Sequence, residues 1–166
     1  MEQQNMVLDC PPQERLSRMV MRVQALIHGE RDLVANLANA AAAIHQWMPQ
    51  TSWAGFYLTQ GAELVLGPFQ GLPACRRIAW GKGVCGTAAA QKATQLVPDV
   101  HAFPGHIACD SGSRSEVVVP ILTEDGRVLG VIDLDSYQSD AFSPEDAAAL
   151  EQVASLLVQG CDWPQI

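Results

Sequence analysis

Two apolar runs separated by Asp-Gly constrain the fold of this chain more than any other feature. Residues 117–122 and 127–134 are rich in valine, isoleucine and leucine, and Asp125 and Gly126 lie between them. Asp-Gly between apolar runs is a strong signal for a tight antiparallel hairpin, because both residues accept the positive φ of such a turn. A second hairpin is predicted for residues 53–58 and 63–66, with a glycine in its turn. The centre of the chain therefore predicts an antiparallel sheet.

Apolar residues at three- and four-residue spacing predict helices on both sides of this sheet. The first helix follows Asp9-Cys10-Pro11-Pro12 and carries its apolar stripe to Ile27. The second runs from Leu33 to Met48, and the last begins at Ser143, a capping residue that precedes proline. We predict an α+β fold: a central antiparallel β-sheet of about six strands, with the N- and C-terminal helices packed on one face.

Composition and charge exclude several classes of function. The chain has 166 residues and a net charge of −8, which opposes nucleic-acid binding because phosphate contacts need clustered lysine and arginine. No apolar run approaches the length of a membrane span, and the opening Met-Glu-Gln-Gln-Asn lacks the form of a signal peptide. We therefore expect a cytoplasmic protein with no nucleic-acid or membrane partner. In that compartment its five cysteines are not expected to be permanent disulfide staples.

A loop of small and polar residues places one cysteine beside the central hairpin. Residues 105–116 contain Cys109, with His106 three residues before it, Asp110 directly after it and Glu116 at the start of the next strand. Loops held by a rigid strand carry functional residues disproportionately. A buried structural cysteine is more often found in an apolar run. We interpret Cys109 as a reactive thiol.

Carboxyl groups are expected to gather near this loop. Asp133 and Asp135 are two residues apart on one strand, so they share a face of the sheet. A tight hairpin brings Glu116 to the same end of the ladder. Neighbouring carboxylates repel, which raises the pKa of at least one, and a carboxyl that stays protonated near neutral pH can donate a proton. The alternatives are a solvated strand end for the aspartates and an exposed residue for Glu116.

Two further cysteines are candidates for redox chemistry. Cys85 stands where a glycine-rich turn enters a helix predicted for residues 87–92, and the amides and dipole at that terminus would stabilise a thiolate. The alternative for Cys85 is a small buried apolar residue. Cys75 lies in a strand predicted for residues 75–80 and fits either interpretation. No role is assigned to the cysteines near the two ends, Cys10 and Cys161.

Residues 81–86 match the glycine fingerprint of dinucleotide-binding proteins, Gly-x-Gly-x-x-Gly, and Asp99 follows them. The preceding segment, however, lacks the continuous apolar run of a buried parallel strand. The hairpins that follow do not extend a parallel sheet. We therefore expect no dinucleotide site.

A zinc site is a minority hypothesis. His101, His106 and Cys109 are possible ligands, with Cys85 or Cys75 as a fourth. Neither Cys-x-x-Cys nor His-Glu-x-x-His is present, so the metal signal is poor. We expect His106 to form hydrogen bonds within its loop instead, and we predict no bound metal.

Several motifs resemble those of the free methionine-(R)-sulfoxide reductases, which are built on a GAF domain. The resemblance covers residues 30–158, and it implies an N-terminal helical extension over residues 1–29 and a GAF catalytic domain over residues 30–160. The motifs that carry it are Trp-Ala-Gly-Phe-Tyr-Leu at 53–58, Leu-Gly-Pro-Phe-Gln-Gly at 66–71, Gly-Lys-Gly-Val-Cys-Gly at 81–86, Asp-Val-His at 99–101, Gly-His-Ile-Ala-Cys-Asp at 105–110, Ser-Glu at 115–116 and Ile-Asp-Leu-Asp-Ser at 132–136.

The resemblance also implies roles for residues of this chain. Cys109 is implied as the catalytic thiol, Cys85 as the resolving thiol and Cys75 as an auxiliary thiol. The implied substrate contacts are Trp53, Tyr57, Glu116, Asp133 and Asp135.

In the implied reaction a neutral carboxyl among Glu116, Asp133 and Asp135 protonates the sulfoxide oxygen while Cys109 attacks the sulfur. A sulfenic acid forms on Cys109 and condenses with a second thiol to a disulfide. Thioredoxin, kept reduced by NADPH and thioredoxin reductase, would act as the external reductant that restores the dithiol. No bound cofactor is expected. A homodimer is also implied.

The competing function class is a GAF module that binds a small molecule without catalysis, since one fold serves many functions. A further alternative is a thiol redox sensor or zinc protein, which predicts bound metal or a disulfide without substrate turnover.

Overall fold

The protein forms one six-stranded antiparallel sheet, here described from a computed structural model that covers residues 10–164. The first nine residues, including Asp9 of the predicted helix entry, and residues 165–166 lie outside the described residues. The order across the sheet is β3-β2-β1-β6-β5-β4, so the strands of each predicted hairpin are neighbours. The strands are β1 (Trp53–Gln60), β2 (Glu63–Gln70), β3 (Arg77–Ala79), β4 (Gln95–Val97), β5 (Ser115–Leu122) and β6 (Val128–Ser136).

Within residues 10–164, two helices pack directly on one face of the sheet and a third packs on those two helices, which confirms the predicted α+β arrangement. These helices are α1 (Pro12–Ile27), α2 (Leu33–Trp47) and α4 (Pro144–Gly160). Their apolar stripes pack with Phe56, Ile132 and Leu134 of the central strands in the larger hydrophobic core. As predicted, Ser143 caps α4: its hydroxyl accepts from the Asp146 amide while the Asp146 carboxylate accepts from the Ser143 amide.

The opposite face of the sheet carries a smaller core and the shorter elements. Helix α3 (Gly83–Gln91) packs there with Tyr57, Val118 and Val131, and a short 3₁₀ helix follows at Val100–Ala102. Because this face is covered by one short helix and loops, it leaves room for a pocket between the sheet and α3. The functional side chains lie on this face.

The glycine motif at residues 81–86 serves the start of α3 rather than a cofactor. Gly83 begins the helix with a φ of +59°, and a Cβ on Gly86 would overlap the Ala79 carbonyl oxygen. The motif therefore lets α3 start at residue 83, four residues earlier than predicted, and pack closely on β3. Strand β3 is only three residues long, shorter than predicted, and is an antiparallel edge strand. A dinucleotide fold needs a parallel strand at this point.

Helix α1 is part of the main core. Met19 and Val23 are buried and Ile27 nearly so, and the helix packs on both α2 and α4. The division into an extension over residues 1–29 and a domain over residues 30–160 stays a prediction, although the described part of the extension shares the core of the domain. No helix within residues 10–164 is long and apolar enough to cross a membrane.

Candidate active site

Strand register brings the three predicted carboxyls together. Glu116 of β5 pairs directly with Asp135 of β6, and Asp133 pairs with Gly55 of β1 on the other side. All three side chains line the pocket between the sheet and α3, together with Cys85 and Cys109. The predicted convergence at one end of the sheet is therefore confirmed. The alternative of a solvated strand end is wrong for Asp133, and that of an exposed residue is wrong for Glu116, since each is 6% exposed.

The pocket has an apolar side, a polar side and a rim formed by loops. Strands β1, β5 and β6 supply the aromatic and carboxyl groups, α3 supplies Cys85, and the loop after the 3₁₀ helix supplies Cys109. The further lining residues are Ser52, Leu72, Pro73, Ala74, Ile78, Gly83, Val84, His106, Ile107, Asp110 and Ser113.

Burial and mutual repulsion raise the pKa values of the three carboxyls above their ordinary range. Burial raises the pKa of Glu116 well above its ordinary value, and the charge of Asp135 adds to this shift. Asp133 has a strongly raised pKa because it is buried and faces Glu116. The pKa of Asp135 is also raised, by burial and by the charge of Asp133. The protonated form of each carboxyl, which can donate a proton, therefore persists to higher pH than in an exposed side chain.

One of these carboxyls has an oxygen without a partner. Within residues 10–164, the Oδ1 atom of Asp133 is buried and accepts no hydrogen bond. A buried polar atom left unpaired costs roughly 1–3 kcal/mol, so such an atom calls for an explanation. In a pocket wall, such an atom is open to a ligand that carries a hydrogen-bond donor or a positive charge.

We expect the Asp133→Asn variant to be more stable than the parent at mildly alkaline pH. Folding raises the pKa of Asp133, so the neutral side chain contributes to the stability of the folded state. This contribution is fully present below the unfolded-state pKa and is lost as pH rises through the folded-state pKa. The amide cannot ionise, so this loss disappears. Thermal unfolding across pH should show a flatter Tm profile, with a rise of about 2–4 °C for each kcal/mol in a domain of this size. A Tm profile across pH that matches the parent would contradict a raised pKa for Asp133.

Cys109 is linked to Cys75 in the structure. The two residues form a disulfide with Cα atoms 5.3 Å apart, and the other three cysteines, all of which fall within the described residues, are free and buried. Cys109 is an exposed loop residue, as predicted, and Cys75 lies in the irregular segment before β3. The disulfide partner of Cys109 is thus the cysteine expected to be auxiliary, whereas Cys85, the expected resolving thiol, remains free.

The environment of Cys85 differs from the predicted thiolate site. Cys85 is the third residue of α3, but it is 3% exposed and its thiol interacts with the carboxyls of Asp133 and Glu116. Burial, followed by the negative charges of those carboxyls, raises the pKa of Cys85 well above its ordinary value. The prediction of a stabilised thiolate is wrong here, because desolvation and neighbouring carboxyls outweigh the helix terminus.

The two predicted aromatic contacts form one wall of the pocket and hold the segment that carries Cys75. Trp53 stacks between Tyr57 and Phe69, with ring centroids 6.0 and 5.2 Å apart. The Trp53 indole donates to the Leu72 carbonyl oxygen at 3.1 Å, and the Tyr57 hydroxyl donates to the Cys75 carbonyl oxygen at 2.9 Å. The same rings therefore shape the pocket and position one cysteine of the disulfide.

His106 connects the Cys109 loop to a carboxyl. Its Nε2 atom lies 3.6 Å from Oε2 of Glu116, and both side chains are largely buried. Burial lowers the pKa of His106 and raises that of Glu116, so both shifts favour the neutral forms over an ion pair. The sequence predicted a contact within the loop for His106. The backbone amide makes one, to the Phe103 carbonyl oxygen, but the side chain faces Glu116.

Two residues of the site were missed by the sequence reasoning. Ser113 is buried in the pocket wall, and a hydrogen bond to the Asp135 carboxyl opposes the rise of its pKa. Phe69 supports the far side of Trp53. A serine in a polar loop gives no periodic signal, and Phe69 lies in a strand where it reads as an ordinary core residue.

The predicted zinc ligand set is not assembled. Cys109 and Cys75 are consumed by their disulfide, and His101 is exposed in the 3₁₀ helix, away from the pocket lining. A different group of possible ligands does come together among the described residues, namely Cys85, Glu116 and Asp133.

Comparison with known proteins places this geometry in a family. The GAF domain family matches residues 12–160. The chain is 47% identical to the free methionine-R-sulfoxide reductase of Saccharomyces cerevisiae, over 90% of this chain and 87% of that protein. It is also 47% identical to the Escherichia coli free methionine-R-sulfoxide reductase, over 80% of each chain.

A solved structure agrees with these sequence relatives. The free methionine-R-sulfoxide reductase of Neisseria meningitidis, in complex with its substrate, superimposes with a TM-score of 0.86 and is 44% identical, over 90% of each chain. The predicted resemblance is therefore confirmed, and the chain belongs to the free methionine-R-sulfoxide reductase family of GAF-domain proteins.

Proposed function

We propose that this protein reduces free L-methionine-(R)-sulfoxide to L-methionine, with Cys109 as the nucleophile. The observation that carries the proposal is the arrangement of one pocket, in which Cys109 shares the wall with three carboxyls of raised pKa. A sulfoxide sulfur is a poor electrophile until its oxygen is protonated. The pocket offers a proton donor and a thiol to the same bound sulfoxide.

Glu116 is the carboxyl that we assign as proton donor. His106, three residues before Cys109, lies against Glu116, so this carboxyl is the one tied most directly to the catalytic loop. The raised pKa of Glu116 lets it hold its proton to higher pH than an ordinary glutamic acid does, which suits a general acid. The neighbouring Asp133 and Asp135 remain to bind the rest of the substrate.

The reaction balances with two thiols of the protein. As Glu116 protonates the sulfoxide oxygen, the Cys109 sulfur bonds to the substrate sulfur. The oxygen then passes from the substrate sulfur to the Cys109 sulfur as the bond between the two sulfurs breaks, which releases methionine and leaves a sulfenic acid on Cys109. The Cys75 thiol then attacks the Cys109 sulfur, water leaves, and a disulfide forms. A dithiol such as thioredoxin reduces this disulfide and takes up the oxidising equivalents.

Cys75 takes the resolving role in this proposal. Its support is the Cys75–Cys109 disulfide together with the position of Cys85, which is buried and has a raised pKa. A protonated thiol is a poor nucleophile, since the thiolate is the reactive form. Cys85 instead acts as a neutral partner of Asp133 and Glu116.

Stoichiometry separates the two candidate resolving thiols. We expect Cys75→Ser to release about one methionine per protein molecule and then stop in the presence of thioredoxin, because its sulfenic acid has no disulfide partner. The matched Cys85→Ser variant keeps a neutral hydroxyl at the same place and should continue to cycle. Quantifying methionine released at increasing ratios of substrate to protein measures both. Sustained cycling by Cys75→Ser, or arrest of Cys85→Ser after one methionine, would reverse the assignment.

The acidic pocket also accounts for selection of the free amino acid. The unpartnered Oδ1 of Asp133 and the partly exposed Asp135 suit an ammonium group, and the Trp53–Tyr57 wall suits a thioether chain. A methionine residue within a peptide has no free ammonium to offer. Sites built to pair a polar group reject analogues that lack it, because the buried partner is left unsatisfied.

The proposal also includes the reductant, the assembly and the cellular location of the protein. We assign thioredoxin, recharged by NADPH and thioredoxin reductase, as the external reductant, and we assign the homodimer as the working assembly and the cytoplasm as its location. No bound cofactor is needed for this reaction. Because the substrate is an oxidised amino acid, the proposed activity links the protein to oxidative stress.

An equimolar mixture of the (R) and (S) sulfoxides of L-methionine tests the proposed activity. With excess dithiothreitol or thioredoxin, amino-acid analysis should show methionine accumulating until half of the free sulfoxide is consumed, which is the (R) half. Chiral separation of the sulfoxide that remains should then find the (S) epimer alone. Complete consumption, or none with the thiols verified as reduced, would contradict the proposal.

A further inference from the structure

A thiol and two carboxyls come together on the pocket wall in the spacing of a metal site. The Cys85 sulfur and one oxygen each from Glu116 and Asp133 all lie within 4.8 Å of one another. The three residues are among the most buried polar groups of the domain, yet they line a pocket that opens to the surface. None of the three belongs to the disulfide, so the group is present whether Cys109 is oxidised or reduced.

A second observation points to a ligand at this place. The Oδ1 atom of Asp133 is buried on the pocket wall and accepts no hydrogen bond within residues 10–164. A free lone pair beside a sulfur and a second carboxyl is a ready position for a cation. His106 lies beside Glu116, with Nε2 3.6 Å from Oε2, and histidines are common among the outer partners of metal ligands.

We propose that Cys85, Glu116 and Asp133 bind Zn²⁺, and that the bound ion inhibits the reductase by occupying the place of the substrate ammonium. One sulfur and two carboxylate oxygens would supply three ligands, and water could complete a tetrahedral zinc site. Zn²⁺ would displace the proton of Cys85 on binding, and the resulting thiolate would select a borderline-soft ion such as Zn²⁺ over Mg²⁺ or Ca²⁺, which prefer oxygen ligands alone. The inhibitory effect rests on the proposed function, whereas zinc binding itself does not.

Metal binding to the oxidised protein tests the site without any turnover. Metal-free protein with the Cys75–Cys109 disulfide intact is titrated with Zn²⁺ against a chromophoric chelator, and with Co²⁺ as a spectroscopic substitute. We expect one equivalent of either ion and no competition by a similar concentration of Mg²⁺. The near-ultraviolet charge-transfer band of a thiolate–Co²⁺ bond should appear, because Cys85 is a direct ligand.

Variants identify the ligands. Cys85→Ser should abolish the charge-transfer band and weaken Zn²⁺ binding by more than the roughly 10–100-fold that loss of an outer partner costs. Asp133→Asn, which keeps the shape of the side chain, should weaken binding while retaining the band for the ion that still binds. Cys10→Ser and His101→Ala are the controls, because those residues lie outside the pocket, and they should bind as the parent does.

Two outcomes would overturn the inference. One is a charge-transfer band that persists in Cys85→Ser, and the other is Zn²⁺ binding that is equal in Asp133→Asn, Cys85→Ser and the parent. Inhibition is read separately: Zn²⁺ should lower turnover of methionine sulfoxide in a way that higher substrate concentration reverses. If metal-free protein has no turnover, the proposed activity fails while the titration still decides the metal site.

Discussion

Cys109→Ser is expected to lose reductase turnover by roughly 10⁴-fold or more, the scale seen when a covalent nucleophile is removed. A serine hydroxyl neither attacks the sulfur efficiently nor carries the oxygen away as a sulfenic acid. Cys109 is exposed in its loop, so its replacement leaves both hydrophobic cores intact. Steady-state release of methionine with dithiothreitol as reductant measures the loss.

The control for this variant lies in the same loop. Ala108→Ser places the same side chain on the adjacent exposed residue and should keep activity close to that of the parent. Isothermal titration with methionine should detect binding to both variants, because the aromatic wall and the carboxyls are unchanged. Turnover by Cys109→Ser at more than a few per cent of the parent rate would move the nucleophile to another residue.

Glu116→Gln is expected to lower kcat/KM by about 10²–10⁴-fold, the usual contribution of a general acid. In the parent, burial raises the pKa of Glu116, so the donating form persists to higher pH than for an ordinary glutamic acid. The proton is lost as pH rises through that pKa, so the parent rate should fall on the alkaline side. Because Glu116 and Asp135 interact, the apparent pKa of this alkaline limb of the pH–rate profile belongs to the coupled carboxyls rather than to one residue.

The pH profile distinguishes proton donation from a structural role. Glu116→Gln should lose the alkaline limb as well as the rate, since the amide has no proton to lose in this range. Glu124→Gln, on the exposed hairpin turn, is the control and should keep both. An alkaline limb of unchanged position in Glu116→Gln would assign the proton to another group.

Much of the site was predictable because strand geometry is regular. The Asp125-Gly126 hairpin sets the register of β5 against β6, and the two-residue period of a strand then places Asp133 and Asp135 on one face beside Glu116. From these facts the raised pKa of a carboxyl follows without a structure.

The roles of the cysteines were less predictable because they depend on contacts between distant segments. Cys75 and Cys109 are 34 residues apart, and Cys75 lies in an irregular segment whose path is set by Tyr57 and Trp53. No local pattern encodes that path. For Cys85 the local signal, a helix terminus, was correct, but burial against Asp133 reverses its effect on the pKa of the thiol.

Thioredoxin-coupled oxidation of NADPH tests the central claim most directly, with three substrates in parallel. These are free methionine-(R)-sulfoxide, the free (S) epimer, and methionine-(R)-sulfoxide whose amine and carboxyl are blocked as in a peptide. We predict NADPH oxidation with the free (R) epimer alone, because Cys109 needs one face of the sulfur and the carboxyls need the free ammonium. Equal rates with the blocked substrate, or no oxidation with any of them once the thiols are verified as reduced, would contradict the account and favour a GAF module that binds a ligand without catalysis.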